Sequence, residues 1–231
     1  MELTKVRDVM TSMVVAVRQR ADYKEIVDAL AGYGVSAVPV LDDEDRVVGV
    51  VSEADLLPKL EYAGDDPRAR RLIGTGHRAA RAKAAGCTAA ELMSAPARTI
   101  DPDATIAEAA RTMERESVKR LPVVGGGGRL AGIVTRRDLL RVYLRPDAAI
   151  ADDVAAEVVD RALGLGPAQV RVEVTDGVVT LAGAVERHST ARLAVRLTRT
   201  VPGVVDVVDR LAYRVDDRVG RDSRYVFESG V

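Results

Sequence analysis

Two aspartates each follow a hydroxyl residue by three positions, Ser52-Glu-Ala-Asp55 and Thr135-Arg-Arg-Asp138, a spacing suited to binding chemistry. An ionised carboxylate only accepts hydrogen bonds, so one such group can take both neighbouring hydroxyls of a ribose. Each aspartate is predicted at a strand-to-helix junction, where free backbone N–H groups and the helix dipole favour an anion, so a phosphate is expected nearby. Around the second aspartate, Lys119, Arg120, Arg136 and Arg137 supply fixed positive charge, and guanidinium forks match phosphate oxygens bidentately. The first has Ala37, Glu53 and Ala54 instead. Upstream, Val38-Pro39 and Leu121-Pro122 put proline in a predicted strand. Without an N–H, proline is expected only at a sheet edge or bulge and leaves neighbouring backbone groups unpaired to meet an adenine edge, while Val38 and Leu121 are expected to pack on the base. The same residues also read without a ligand. Ser/Thr-x-x-Asp is a capping-box pattern, the prolines end strand pairing, and Arg136 and Arg137 form a solvated face.

Other chemistries lack their residues. Cys87 is the only cysteine and His77 and His188 the only histidines, so intramolecular disulfides and Cys/His zinc clusters are excluded by count. Neither histidine belongs to a nucleophilic set, and the pairs Asp152-Asp153 and Asp216-Asp217 are sequence neighbours that point apart. Gly125–Gly128 lacks the Gly-Lys-Ser/Thr of a phosphate loop and reads as a hairpin turn. No catalytic set and no metal site emerges, so the chain is expected not to be an enzyme.

The elements that must position these residues follow from an internal repeat. A shift of 83 lays Met10–Leu57 on Met93–Leu140 without a gap, matching Glu25 to Glu108, Pro39 to Pro122, Gly49 to Gly132 and Asp55 to Asp138. Each copy predicts a short strand (Val14–Val17; Arg98–Ile100) and a helix of about three turns opened by a capping box, Asp22-Tyr-Lys-Glu25 or Thr105-Ile-Ala-Glu108. Two strands follow, Ala37–Leu41 with Arg46–Val51 and Leu121–Val124 with Leu130–Val134, then a closing helix, Ala54–Leu60 or Arg137–Leu144. A unit of about 50 residues buries too little surface to stand alone, so the copies should pack together. Charge separates them: Met1–Leu57 holds 6 basic and 11 acidic residues, net −5, and Glu91–Asp147 holds 10 and 8, net +2. A phosphate should therefore prefer the second copy.

The strings Gly49-Val-Val-Ser52-Glu-Ala-Asp55 and Gly132-Ile-Val-Thr135-Arg-Arg-Asp138, each preceded by an X-Pro-Val strand, resemble the cystathionine-β-synthase (CBS) domain family, whose copies come in tandem pairs. The resemblance implies an adenosyl ligand, and the charge difference between the copies assigns AMP, ADP or ATP to Asp138, with weak binding or a less charged compound such as S-adenosylmethionine at Asp55. The resemblance also implies a homodimer through the pair.

Between the copies, Pro58–Ala90 carries Lys59, Arg68, Arg70, Arg71, Arg78, Arg81 and Lys83 against Glu61, Asp65 and Asp66, net +4. Ala79–Ala85 is helix-forming, and Gly74, Gly76 and Gly86 break the arm into short pieces. With no aromatic between Tyr62 and Tyr143 it has no platform for stacked bases, so specific nucleic-acid binding is not expected. A solvated linker is the simpler reading.

After Leu144-Arg145-Pro146-Asp147 the pattern changes. Ile150, Val154, Val158 and Ala162 keep helical spacing up to Gly164, and Val170–Val174 and Val178–Ala182 form a hairpin around Asp176-Gly177. Ser189–Thr200 is a second helix and Val204–Tyr213 a last strand, giving an α-β-β-α-β sandwich. The strings Val174-Thr-Asp-Gly-Val-Val-Thr-Leu-Ala-Gly-Ala-Val185 and Val201-Pro-Gly-Val-Val-Asp-Val-Val208 resemble the BON domain, which implies an interaction module for a protein or phospholipid surface.

The expected fold class is α+β: two β-α-β-β-α repeats packed as one module, plus a small α-β-β-α-β sandwich. Expected boundaries are 1–60 and 91–146 for the repeats, 61–90 for the linker, 148–215 for the C-terminal domain and 216–231 for a polar tail in which Tyr225 and Phe227 dock locally. At 231 residues, 47% apolar and 30% charged, the chain is globular in composition, and its net charge of −1 selects no polyanion. No run approaches the about 18 apolar residues of a spanning helix, and Met1–Met13 carries Lys5, Arg7 and Asp8 without an apolar stretch, so a cytoplasmic protein is expected. Three functions stay open: an adenosyl sensor requiring no cofactor, a structural or oligomerisation protein with empty sites, and a lipid- or nucleic-acid-contacting adaptor.

Overall fold

Near-continuous apolar runs in Ala37–Leu41 and Val47–Ser52 make two strands, β2 and β3, that pair antiparallel, and their copies β4 (Arg120–Val124) and β5 (Leu130–Thr135) repeat the register residue for residue. Even the irregularity recurs, between Val40 and Leu41 and again between Val123 and Val124. A computed structural model describes residues 4–63 and 75–217 of the chain, with the backbone alone over 75–79. The chain divides into two compact units, Lys5–Leu139 and a second from Leu140 on. Tyr225, Phe227 and the arm's Arg68, Arg70 and Arg71 lie outside the described residues, as does the side chain of His77.

In the first unit, β1 (Val17–Arg18) runs parallel to β2, so Pro39 sits in a middle strand and not at a sheet edge. The reason is visible in the second copy: Ile100 N donates to the Pro122 carbonyl at 3.0 Å, so the proline contributes its acceptor and its missing N–H limits the parallel pairing to a short stretch. Helices α2 (Tyr23–Gly32) and α7 (Ile106–Arg115) open with the expected capping boxes, Glu25 N to Asp22 Oδ1 at 2.9 Å and Glu108 N to Thr105 Oγ1 at 3.2 Å. Both end in a left-handed residue, Gly34 (φ 62°) and its counterpart Ser117 (φ 53°), after which Val35 N and Val118 N return to the Leu30 and Met113 carbonyls. The closing helices differ from the expectation. The first is two single turns, α3 (Glu53–Leu56) and α4 (Pro58–Glu61), separated because Pro58 cannot continue the first; the second is α8 (Arg136–Leu140), followed by a 3₁₀ turn at Arg141–Leu144.

The two copies exchange their leading turns. Helix α1 (Val6–Val9) precedes copy one but donates Val6 N to Ala104 O at 2.8 Å and Arg7 N to Pro102 O at 3.0 Å, and Val6 is buried with Ile100, Leu121 and Val134. Reciprocally, α6 (Ala89–Leu92) follows the arm helix α5 (Thr75–Ala85) and precedes copy two, yet Ala89 N and Ala90 N bond Ala21 O and Gln19 O at 2.9 Å, and Leu92 is buried with Ile26, Val38 and Val51. Each core is thus completed by the other copy, which is how repeats too small to stand alone acquire enough buried surface.

The second unit is a three-stranded sheet in the order β6 (Val170–Thr175), β7 (Val178–Arg187), β8 (Asp206–Val215), with β7 and β8 parallel. Helix α9 (Asp147–Asp153), a π-helical continuation (Val154–Ala162) and α10 (His188–Thr198) share a core with it, Ile150, Val154 and Val158 meeting Val179, Leu181 and Ala194. The π turn departs from the α-helix expected over the whole stretch. Asp147 accepts from Asp176 N at 2.8 Å and Gly177 N at 2.9 Å, tying the hairpin turn to the start of α9. Among the described residues no helix is long and apolar enough to cross a membrane.

Candidate nucleotide crevices

The two aspartates are built alike and occupied differently. Ser52 ends β3 and Asp55 lies in the first turn of α3; Asp55 Oδ2 accepts Ser52 N at 2.8 Å and Ser52 Oγ at 2.7 Å. Thr135 and Asp138 repeat this at β5 and α8, with Oδ2 accepting Thr135 N at 2.9 Å and Oγ1 at 2.7 Å. The capping box is therefore real, and it uses one carboxylate oxygen of each pair. The helix dipole adds little, because α3 and α8 span only four and five residues and their first N–H groups, Glu53 N and Arg136 N, already bond the Ser36 and Lys119 carbonyls at 3.1 and 3.2 Å. What remains is Oδ1. On Asp55, the ammonium of Lys83 and Ser94 Oγ at 3.4 Å engage it. Among the described residues Asp138 belongs to no ion pair.

A crevice lies beside each aspartate, and the 83-residue shift carries one onto the other. The Asp138 crevice, about 630 Å³, is lined by Thr11 and Met13–Val15, by Tyr33–Ala37, and by Lys119, Arg120 and Ile133 with Thr135–Asp138. The Asp55 crevice, about 570 Å³, is lined by the counterparts Ser94 and Pro96–Arg98, Glu116–Arg120, and Ser36, Ala37 and Val50 with Ser52–Asp55. Each is thus walled by both copies, a consequence of the exchanged leading turns. These cross-copy segments were missed in the sequence, because which copy a leading turn packs against is set by tertiary contacts and leaves no local signal.

Of the expected site residues, Ser52 and Asp55 meet at the first crevice and Thr135, Arg136, Arg137 and Asp138 at the second. Lys119 and Arg120 line both, which corrects their assignment to the second copy alone. Arg120 donates to Ser36 Oγ at 2.8 Å; burial lowers its pKa and the charge of Glu53 opposes that, and a guanidinium stays charged in either case. Arg136 donates to the Val118 carbonyl at 3.2 Å. Val38 and Leu121 are corrected: both are fully buried in the two cores, since the strand's alternation turns them away from the crevices, and no base can stack on them there. Pro39 and Pro122 are buried too and line neither crevice. The charge contrast survives in three dimensions. Glu53, Asp55 and Glu116 face Arg98, Lys119 and Arg120 at the first crevice, whereas Asp138 alone faces Lys119, Arg120, Arg136 and Arg137 at the second. Around Glu116, Arg115 and then Arg98 hold the carboxyl below its ordinary range, so it is anionic at neutral pH.

Comparison with known proteins agrees with this architecture. The model of the CBS domain matches residues 6–62 and 89–145, and that of the BON domain residues 146–215. Hypoxic response protein 1 of Mycobacterium tuberculosis is 29% identical over 154 residues, 67% of this chain and 94% of that protein. An uncharacterized protein of Methanopyrus kandleri is 29% identical over 118 residues, and this chain spans 52% of its length. A crystal structure of the CBS-pair protein CBSX2 of Arabidopsis thaliana in complex with AMP superposes with a TM-score of 0.53 at 28% identity, covering 61% of this chain and 97% of that one. With the repeat, the exchanged turns and both domain matches in hand, the chain belongs to the CBS-domain family, as a tandem CBS pair followed by a BON domain.

Proposed function

We propose that the CBS pair is a non-catalytic sensor that binds an adenine nucleotide in the Asp138 crevice, with the ribose diol on Asp138 and the phosphates among Lys119, Arg120, Arg136 and Arg137. The observation that carries this is electrostatic: four cations and one carboxylate with an oxygen outside its cap converge on a crevice of about 630 Å³. That volume lies within the about 300–1,000 Å³ of small-molecule sites. The AMP bound by CBSX2 supports the ligand class. AMP, ADP and ATP share the required chemistry; the less positive Asp55 crevice suits a less anionic adenosyl compound such as S-adenosylmethionine. Occupancy signals by binding two states of the protein unequally, and the BON domain serves as the module that contacts a protein or phospholipid surface. The protein works in the cytoplasm and as a homodimer; an apolar groove in which Leu57 and Leu60 are 57% and 73% exposed supports the dimer. Light scattering of the wild type and of Leu60→Glu tests the dimer, which the charge should dissociate.

Calorimetric titration with AMP and ATP tests the binding reading. Asp138→Asn keeps the cap geometry but removes the charged acceptor, and should weaken binding about 10- to 150-fold, the equivalent of about 1.5–3 kcal/mol for hydrogen bonds to a charged group. Asp55→Asn should leave that affinity unchanged. Equal losses in the two variants, or no binding to the wild type, would overturn the assignment.

A further inference from the structure

We propose that Lys83 is a built-in competitor at the Asp55 crevice: its ammonium holds the carboxylate oxygen that a ribose diol would take, so a ligand enters only by displacing it. An ionised carboxylate offers about four acceptor positions. On Asp55 all are engaged, Oδ2 by Ser52 N and Ser52 Oγ and Oδ1 by Lys83 Nζ and Ser94 Oγ. Ser94 Oγ also lies 3.2 Å from Lys83 Nζ, closing a three-membered cluster in which Asp55 and Ser94 line the crevice. The pair is secluded, with the Lys83 side chain 24% and the Asp55 side chain 12% exposed, so solvent screens it little.

The fold holds Lys83 there. It stands in the last turn of α5, which ends where Gly86 N bonds Ala82 and Lys83 carbonyls; Arg81 of the same helix lies over the Tyr62 ring at 5.4 Å. Just beyond, Glu91 Oε2 accepts Cys87 N at 2.8 Å and Thr88 N at 3.0 Å, anchoring α6 and with it Ser94. The arm between the repeats thus carries one specific side chain onto Asp55, a residue that lines the first crevice. No ion pair of the described residues does the same for Asp138, so two aspartates with the same cap differ in availability. The role of Lys83 rests on the nucleotide reading of the crevices and adds which of them is open.

The test reads the first crevice alone, in full-length Asp138→Asn protein titrated calorimetrically with adenosine, a diol without phosphate. Adding Lys83→Gln should tighten adenosine binding about tenfold or more, the scale of one charge-assisted contact. Lys83→Arg, which keeps a cation, should bind like the parent. A gain in affinity does not arise from misfolding. A second measurement needs no Lys83 variant: acetylation of Lys83, followed by mass spectrometry, should rise as adenosine saturates the Asp138→Asn protein. Unchanged or weaker binding after Lys83→Gln, while the wild type still binds AMP through Asp138, overturns the competitor alone. Absence of AMP and adenosine binding in every protein overturns both it and the nucleotide reading.

Discussion

Substituting Gly132 by alanine probes the exchanged leading turns directly. A β-carbon there would stand 2.6 Å from Met10 Sδ, 3.2 Å from Met10 Cγ and 2.9 Å from the Thr11 carbonyl oxygen, all from the segment that leads into the other copy. Carbon contacts are comfortable at about 3.5–4.0 Å. The thioether can bend away at small cost. The Thr11 carbonyl cannot, because it accepts Ile133 N at 2.9 Å while Thr11 N donates back to Ile133 O at 2.9 Å. Overpacking of about 2 kcal/mol plus about 1 kcal/mol for the strained hydrogen bond gives a loss of about 3 kcal/mol. For a unit of this size that corresponds to a fall in Tm of roughly 10 °C. Gly49→Ala is the internal control, since its nearest neighbours all belong to the Met93 side chain, and it should cost about 1 kcal/mol less. Urea and thermal unfolding followed by circular dichroism measure both. Adding Met10→Ala to Gly132→Ala should recover only part of the loss. A Gly132→Ala protein as stable as the wild type, or full recovery in the double variant, would refute the interlocked arrangement.

Three other outcomes follow from single contacts. The backbone N–H and hydroxyl of Thr105 hold the Glu108 carboxyl below its ordinary 4.5, so the folded state binds protons less readily than the unfolded one; this stability is present above pH 4.5 and is lost as pH falls through the lower folded value. Urea midpoints between about pH 7 and 3 should show it, and Glu108→Gln should flatten the acid limb. Gly183→Ala should loosen β6 to β8 by more than about 2 kcal/mol, because Gly183 has φ 141° and a β-carbon would run into the Gln169 carbonyl, and hydrogen exchange should rise across the hairpin. Thr198 is fully buried and, among the described residues, its hydroxyl has no hydrogen-bond partner, so Thr198→Val should stabilise by about 1 kcal/mol in urea unfolding.

Much of this molecule is legible along the chain. The repeat, both capping boxes on the three-turn helices, the paired strands and the hairpin around Asp176-Gly177 depend on contacts within a few residues, and hydrophobic period and cap chemistry report such contacts directly. The two carboxylates and the charge difference between their surroundings were equally readable, because they depend on residue identity and on proximity along the sequence. The α-to-π change over Val154–Ala162 was not, since helical spacing of Val154 and Val158 suits either winding once a sheet covers them. Pro58 splitting the closing helix was legible in principle, as proline cannot follow a helical turn without ending it.

Availability of the site belongs to the tertiary structure. Val38 and Leu121 sit beside the prolines in sequence, but which face of β2 and β4 meets the core is settled by what packs there, and both were turned inward. Lys119 and Arg120 border both crevices and Lys83 reaches Asp55 across 28 residues because the leading turns are exchanged and the arm folds back. Residue types and their spacing determined which chemistry each copy carries, since those are local properties. Only packing decided which oxygen of which aspartate is open, because that depends on side chains brought together from distant parts of the chain.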